Sequence, residues 1–475
     1  MTRPKTTPLP PTIVVVFGIT GDLARRKLLP AIFDLYLKGL LPSQFRLVGF
    51  MRRDLSKLEF QTLIQDSLTK YHRGASSTSL KKFLKLIVLE QGQFDDPAAY
   101  ERLGEQLKSL DNSLGVCTNK LFYLAVPPAL YPTIFPLIKK SHLAKACESA
   151  RAGTGWTRFL VEKPFGRDLG TARSLERQLK NIFTEDQIFR IDHYLAKETL
   201  QNIITFRLAN PLFANIWNRG HIVRVEVRLQ EQEGIVGRGS FYDEVGALRD
   251  VGQNHLLQML ALVAMETPAT LTAASIRAAR ERVLKGLKLA HSDFKESVQR
   301  GQYEGYLNES GVAPYSTTET YFKINATVTT GPLRGVPFTL ESGKGLPVKK
   351  TEIKIYFKNL KLIPVEVESG EVGNVLTFTI QPNEGVALSL LAKEPGLDYL
   401  VTEKNLEFAY ATGWPDRLIP SDYERLLFDA LMGDSTLFPT RGEIIASWQF
   451  ITPILNQLNK LPLTRYRRGD LPSVS

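Results

Sequence analysis

The 475-residue chain is poor in cysteine and histidine, with two of the first and six of the second. The pair Cys117 and Cys147 matches no zinc-type spacing and builds no disulfide framework, so a metal-ribbon or disulfide-stapled fold is excluded. A reducing, cytoplasmic setting is the expectation. No stretch approaches the roughly 20 apolar residues that cross a bilayer, and the interrupted run His255–Met265 suits a buried helix. The start, Met1–Pro11, carries basic residues before an apolar run, but Ile13–Ile19 is short and leads into Gly21-Asp22, where a leader would place a cleavage site. Internal repeats and low-complexity linkers are also lacking. Sixty Lys and Arg against 49 Asp and Glu give a net charge of +11, a modest excess that suits a solvated basic surface or sites for small anions. The densest basic cluster, Arg465-Tyr-Arg467-Arg468, is short and has no nucleic-acid motif near it, so neither nucleic acid nor membrane is an expected partner.

What is present is a globular composition, 43% hydrophobic and 23% charged, in a length that suits two large domains or three smaller ones. Up to about residue 190, apolar strand-like runs alternate with helical stretches. Thr12–Phe17 is a continuous β-branched run, as a strand buried on both faces requires. Helical Lys27–Leu37 follows, then the strand-like Phe45–Gly49, Leu121–Val126 and Arg158–Val161. That alternation predicts a parallel sheet flanked by helices. Beyond it the texture changes. Val223–Leu229, Phe322–Val328, Glu352–Phe357 and Leu376–Ile380 alternate apolar with polar residues, as strands of a half-exposed antiparallel sheet do. Helical segments are predicted at Asn254–Met265, Ile276–Leu289, Tyr423–Met432 and Gly442–Leu458. The shift divides the chain into residues 1–187 and 188–475.

The first strand ends in Gly18-Ile-Thr20-Gly21-Asp22-Leu23-Ala24 and a helix begins. Gly18 permits a tight turn, and amides at the helix start face a pyrophosphate; strand-to-helix glycines also serve packing alone. The second strand ends in Met51-Arg52-Arg53, where an NAD site would place Asp or Glu for the ribose hydroxyls. Two guanidiniums there suit a 2′-phosphate and point to NADP, or are ordinary surface arginines. Ala125-Val-Pro127 and Glu162-Lys163-Pro164-Phe-Gly166 end two further strands, at the level where such sheets open a crevice. The proline after Lys163 aims it through a rigid peptide bond, cis or trans.

Two clusters carry candidate chemistry. Arg190-Ile-Asp192-His193-Tyr194-Leu-Ala-Lys197 packs acid, imidazole, phenol and ammonium together; on a helix His193 and Lys197 would share a face and hold a phosphate monoester. Arg249-Asp250-Val-Gly-Gln-Asn-His255 precedes an apolar helix. In an ideal α-helix Asp250 and His255 lie about 140° apart, so His255 as a general base needs a carboxylate from elsewhere to fix its tautomer.

With these motifs in family order over nearly the whole chain, and with Ser316–Thr320, Gly335–Phe338, Ile380–Glu384 and Tyr423–Leu427 also matching, the sequence resembles the glucose-6-phosphate dehydrogenases of the bacterial type. The resemblance implies an NADP-binding, doubly wound Rossmann-like parallel sheet at 1–187. A substrate-binding α+β domain at 188–475 follows, whose large, mostly antiparallel sheet builds a homodimer or homotetramer. It implies oxidation of D-glucose 6-phosphate to 6-phospho-D-glucono-1,5-lactone, the first step of the oxidative pentose phosphate pathway, without a metal. Carried over by motif, His255 is the base at the C1 hydroxyl and Asp192 orients it. Lys163 meets both substrate and cofactor. His193, Tyr194 and Lys197 hold the phosphate, and Glu231, Asp250 and Lys344 the sugar. Gly18, Thr20, Gly21, Asp22, Leu23, Arg52, Arg53, Pro127 and Lys163 hold the cofactor. Three departures stand out: Ala196 where the family has glycine, Glu341 where it has arginine, and a shortened segment Gly331–Arg334. Two other functions fit parts of the pattern, a related dehydrogenase of unphosphorylated sugars and an inactive NADP-binding paralogue. The His193, Tyr194, Lys197 trio opposes the first. Retention of Asp192, His255, Lys163 and Lys197 opposes the second.

Overall fold

A computed structural model describes residues 9–72, 76–149, 153–359 and 373–472; the first eight residues, part of the stretch weighed as a leader, lie outside these. The chain forms two compact units, one of Met1–Gly166, Arg173–Ala196 and Pro420–Arg441, the other of Arg167–Ala172, Lys197–Ile419 and Gly442–Ser475.

In the first unit, strands β1 (Thr12–Phe17), β2 (Phe45–Met51), β3 (Ile87–Gln91), β4 (Asn119–Leu124), β5 (Thr157–Glu162) and β6 (Ile188–Ile191) form a six-stranded parallel sheet in the order β3-β2-β1-β4-β5-β6. All of β1 is buried, as its unbroken apolar run demands. The order reverses between β1 and β4, which opens a crevice at their carboxyl ends. Arg190 on β6 is fully buried and paired with Glu176 at 2.6 Å and Glu185 at 2.8 Å, an ionic pin through the sheet edge. The helix Asp422–Met432 also belongs to this unit: Lys38 pairs with Glu424, and Arg158 donates to the Ala430 carbonyl at 2.7 Å.

The cysteines correct the reading made from their number and spacing, and with it the ground which that reading gave for a reducing setting. Cys117 and Cys147 form a disulfide across a sequence separation of 30, joining the entry of β4 to the segment ahead of β5. Two cysteines cannot build a framework, but they form a single staple once the fold brings their Cα atoms to 5.5 Å.

The second unit is built on a ten-stranded sheet. Its strands are β7 (Ile222–Gln230), β8 (Leu287–Leu289), β9 (Val298–Tyr303), β10 (Tyr321–Val328), β11 (Pro337–Gly343), β12 (Lys350–Phe357), β13 (Val375–Gln381), β14 (Gly385–Lys393), β15 (Val401–Ala409) and β16 (Leu463–Tyr466). They run β15-β14-β13-β12-β7-β11-β10-β9-β16, with β8 on β10. Only the pairs β7 with β11 and β9 with β16 are parallel. Val225, Val227 and Leu229 on β7 and Phe322, Ile324 and Ala326 on β10 are buried, so the alternation in the sequence marks one covered face. The helix expected to run to Leu289 stops at Lys285; Gly286 follows, and Leu287–Leu289 joins the sheet. Arg280 on that helix pairs with Glu443 at 2.8 Å, both side chains fully buried. Among the described residues no helix is long and apolar enough to cross a membrane.

Candidate active site

In the first unit the glycine turn stands at the reversal of strand order. Gly18 has φ +78, and a Cβ there would lie 2.7 Å from the Ala125 carbonyl oxygen beyond β4, so only glycine lets the two chain segments meet. The Gly21 amide donates to the Gly18 carbonyl at 2.8 Å, which turns the chain through buried Thr20 into Asp22 and Leu23. The helix then opens with a π-turn at Ala24–Leu28, three residues before the expected start. Pro127 stands just beyond Ala125 and opens a short 3-10 turn. At the end of β2, Arg52 and Arg53 are exposed and the Arg52 guanidinium lies 5.3 Å from the Phe94 ring centroid. This cradle fits a dinucleotide: its turn is closed by a glycine against the Ala125 carbonyl ahead of a helix start, and its β2 rim carries guanidiniums where an NAD site has a carboxylate.

Lys163 leaves the end of β5 through a cis bond to Pro164. The residue before it, for which the motif implies no role, is heavily tethered. The Glu162 carboxylate accepts from the Tyr123 hydroxyl at 2.5 Å and from that of Tyr423, while Tyr131 donates to its main-chain carbonyl at 3.2 Å. Burial pushes this carboxyl up to about 7, against the two phenols and Lys163, which favour its charged form; Asp192 adds to the rise.

Asp192 follows β6, is 3% exposed and accepts from the Tyr194 amide at 3.1 Å. His193–Ala196 is a 3-10 turn, and Lys197, extended at ψ 133, stands ahead of the helix Glu198–Ala209. This corrects the helical reading: no continuous α-helix runs from His193 to Lys197, so an i,i+4 face is not what relates them. His193 stacks on Tyr423, with ring centroids 6.4 Å apart and an interplanar angle of 13°. Ala196 is buried at the end of the turn.

The second unit carries Lys197, Glu231, Asp250, His255 and Lys344. Lys344, only 3% exposed, reaches Glu231 at 2.5 Å and Asp250 at 3.7 Å, and lies 5.3 Å from the Tyr242 ring centroid. A buried ammonium with two carboxylates makes a polar floor that offers both donors and acceptors to hydroxyl groups. Burial, reinforced by Asp250 and Glu319, drives the Tyr242 phenol well above its ordinary value and keeps it a neutral donor. His255 is 1% exposed on Leu248–Leu256, which winds as a π-helix. Its bonding runs from residue i to i+5, so residues five apart stack on one face and the 140° separation of an α-helix does not apply to Asp250 and His255. The Asn254 side-chain Nδ2 donates to the main-chain carbonyls of Arg249 at 3.2 Å and Asp250 at 3.0 Å, holding the widened turn. Glu341, the reversed charge, is matched by Arg228 at 3.1 Å and the Tyr321 hydroxyl at 3.1 Å.

A parallel sheet in this order, with a glycine turn at the reversal, defines a dinucleotide-binding protein of the Rossmann type. Residues 15–202 match the family described as glucose-6-phosphate dehydrogenase, NAD binding domain, and residues 204–473 match its C-terminal domain. The chain is 39% identical over 458 residues to glucose-6-phosphate 1-dehydrogenase 2 of Mycobacterium tuberculosis, covering 94% of this chain and 88% of that one. It is 38% identical over 468 residues to the glucose-6-phosphate 1-dehydrogenase of Borreliella burgdorferi, covering 96% and 94%. A solved glucose-6-phosphate dehydrogenase in complex with its substrate glucose 6-phosphate superposes with a TM-score of 0.89 at 32% identity, over 98% of this chain and 97% of that one. The chain belongs to the glucose-6-phosphate dehydrogenase family.

Proposed function

We propose that this chain oxidises D-glucose 6-phosphate at C1 to 6-phospho-D-glucono-1,5-lactone, with NADP+ as the acceptor and His255 as the base. The oxidation of glucose 6-phosphate follows from membership of the family; the cofactor's 2′-phosphate and the residue roles are the reading argued from the chain itself. The observation that carries it is the buried Lys344 ammonium against Glu231 and Asp250, in the same unit as the π-wound segment that bears His255.

Bound over the glycine turn, NADP+ supplies the acceptor for the hydride that leaves C1. Gly18, Thr20, Gly21, Asp22, Leu23 and Pro127 would hold the dinucleotide, and Arg52 and Arg53 its 2′-phosphate. His255 takes the C1 hydroxyl proton, which spares C1 a full positive charge as the carbonyl forms. Asp192 fixes the imidazole tautomer and steadies the imidazolium. His193, Tyr194 and Lys197 tether the phosphate remote from C1, so binding energy is spent on holding C1 in place. Lys344, Glu231 and Asp250 fix the sugar hydroxyls, and Lys163 meets substrate and cofactor together. The charge on Glu341 is satisfied within the sheet by Arg228 and Tyr321, so it leaves the role of Lys344 intact.

The same reading makes the chain a cytoplasmic homodimer or homotetramer associated through the large sheet. A relative named as cytoplasmic from Arabidopsis thaliana, 37% identical over 455 residues, supports the location. Exposed Leu397, Tyr399, Leu400, Leu406 and Trp414, around the edge strand β15, support the interface. Initial rates with both cofactors and both sugars test the proposal: NADP+ with glucose 6-phosphate is expected to dominate kcat/KM. Equal efficiency with free glucose would overturn the phosphate site, and equal efficiency with NAD+ the arginine pair.

A further inference from the structure

Glu162 has more holding it than the end of a strand needs. Its carboxylate accepts from Tyr123 on β4 and Tyr423 on the helix Asp422–Met432, and its carbonyl accepts from Tyr131 on the helix Tyr131–Lys140. These tyrosines come from three separate elements of the first unit, and all three are raised above the ordinary phenol value, so they remain neutral donors. The carbonyl that Tyr131 fixes belongs to the peptide that leads into Lys163. The charged groups facing the carboxylate are Lys163, which favours its anion, and Asp192, which opposes it. A buried carboxylate with two hydroxyl donors and one adjacent ammonium is an arrangement for holding that ammonium still.

We propose that Glu162 is the positioning residue of Lys163: clamped by two phenols, its negative charge holds the neighbouring ammonium in the place where the reaction uses it. The proposal rests on the role given above to Lys163. In this role Glu162 acts through that lysine. Because burial holds its carboxyl near 7, the charged, positioning form is present above that pH and is lost as pH falls through it. Activity therefore has a protonation on its acid side that belongs to neither His255 nor the substrate phosphate.

The test is kcat/KM for glucose 6-phosphate with NADP+ from pH 5.5 to 9, in the wild-type chain and in Glu162→Gln, which keeps the shape and removes the charge. The ratio of the two profiles cancels the ionisations they share. The expected ratio is about tenfold in favour of wild type at pH 8.5, as for a displaced reacting group, and falls toward one at pH 6, where wild type is itself protonated. A ratio constant with pH would overturn the proposal and leave Glu162 a structural residue. Tyr423→Phe removes a donor that favours the anion, so its acid-side inflection is expected to move to higher pH; an unmoved inflection also overturns the proposal, and this variant decides the matter if Glu162→Gln does not fold. A wild-type chain that fails to reduce NADP+ with glucose 6-phosphate would defeat the underlying reading. An active wild type with parallel profiles defeats only this inference.

Discussion

The two units build their candidate sites from different materials. In the first, the cofactor cradle is backbone: a glycine at φ +78 against the Ala125 carbonyl, a turn closed by an amide, and a helix start. In the second, the floor is side chains: a buried ammonium, two carboxylates and a neutral phenol, with His255 on a widened helix. A backbone site depends on the few positions where a Cβ would intrude and tolerates change elsewhere. A site of buried charges depends on every partner, because removing one leaves another uncompensated.

Substitutions should separate these behaviours, and the largest effect is expected in the side-chain unit. His255→Asn should lower kcat by about a thousandfold while KM for glucose 6-phosphate stays within a few-fold, as loss of a general base does. A large rise in KM with kcat preserved would make it a binding residue. Next comes the staple of the first unit. Reducing the Cys117–Cys147 bond, which closes a separation of 30 residues, should cost about 3 to 4 kcal/mol by loop entropy and lower the melting temperature. An unchanged melting curve with and without reductant would show that the bond does not stabilise the fold. Lys197→Ala should weaken glucose 6-phosphate by roughly tenfold or more through loss of a charged hydrogen bond, with little change for free glucose. Equal losses on both sugars would take it out of the phosphate site. Smallest, Arg52→Ala should reduce the preference for NADP+ over NAD+ by about tenfold, read as a ratio of kcat/KM values, with activity retained on both. A preference that does not move would return Arg52 to the solvated surface.

The sequence was most legible where one residue type answers one geometric demand. The unbroken run of β1, Gly18 at its end and the arginines after β2 are local signals, and each stands where the pattern places it. The strict alternation of β7 and β10 likewise marked a half-covered sheet. Legibility failed where partners are distant or the winding departs from the ordinary. Tyr123, Tyr131 and Tyr423 meet at Glu162 from three parts of the chain, and no spacing announces it. The cysteines pair because two strand entries lie side by side, a tertiary fact. His193 to Lys197 has the composition of a helix start but forms only a 3-10 turn, capped by Asp192 at the Tyr194 amide, and then extended backbone.

The winding of Leu248–Leu256 carries a consequence for how this chain tolerates insertion and deletion. A segment bonded from i to i+5 holds more residues per turn than the α-helix Leu257–Ala264 that continues it. Losing one residue upstream of Val251 would let the run relax to ordinary pitch at little cost to its own bonding. His255 and the apolar residues beyond it lie on the same side of that deletion and would keep their register together, because the wide winding only accommodates the one residue that is lost. Such a shortened chain should fold with its imidazole on the face it holds now, missing only the contacts of the lost residue.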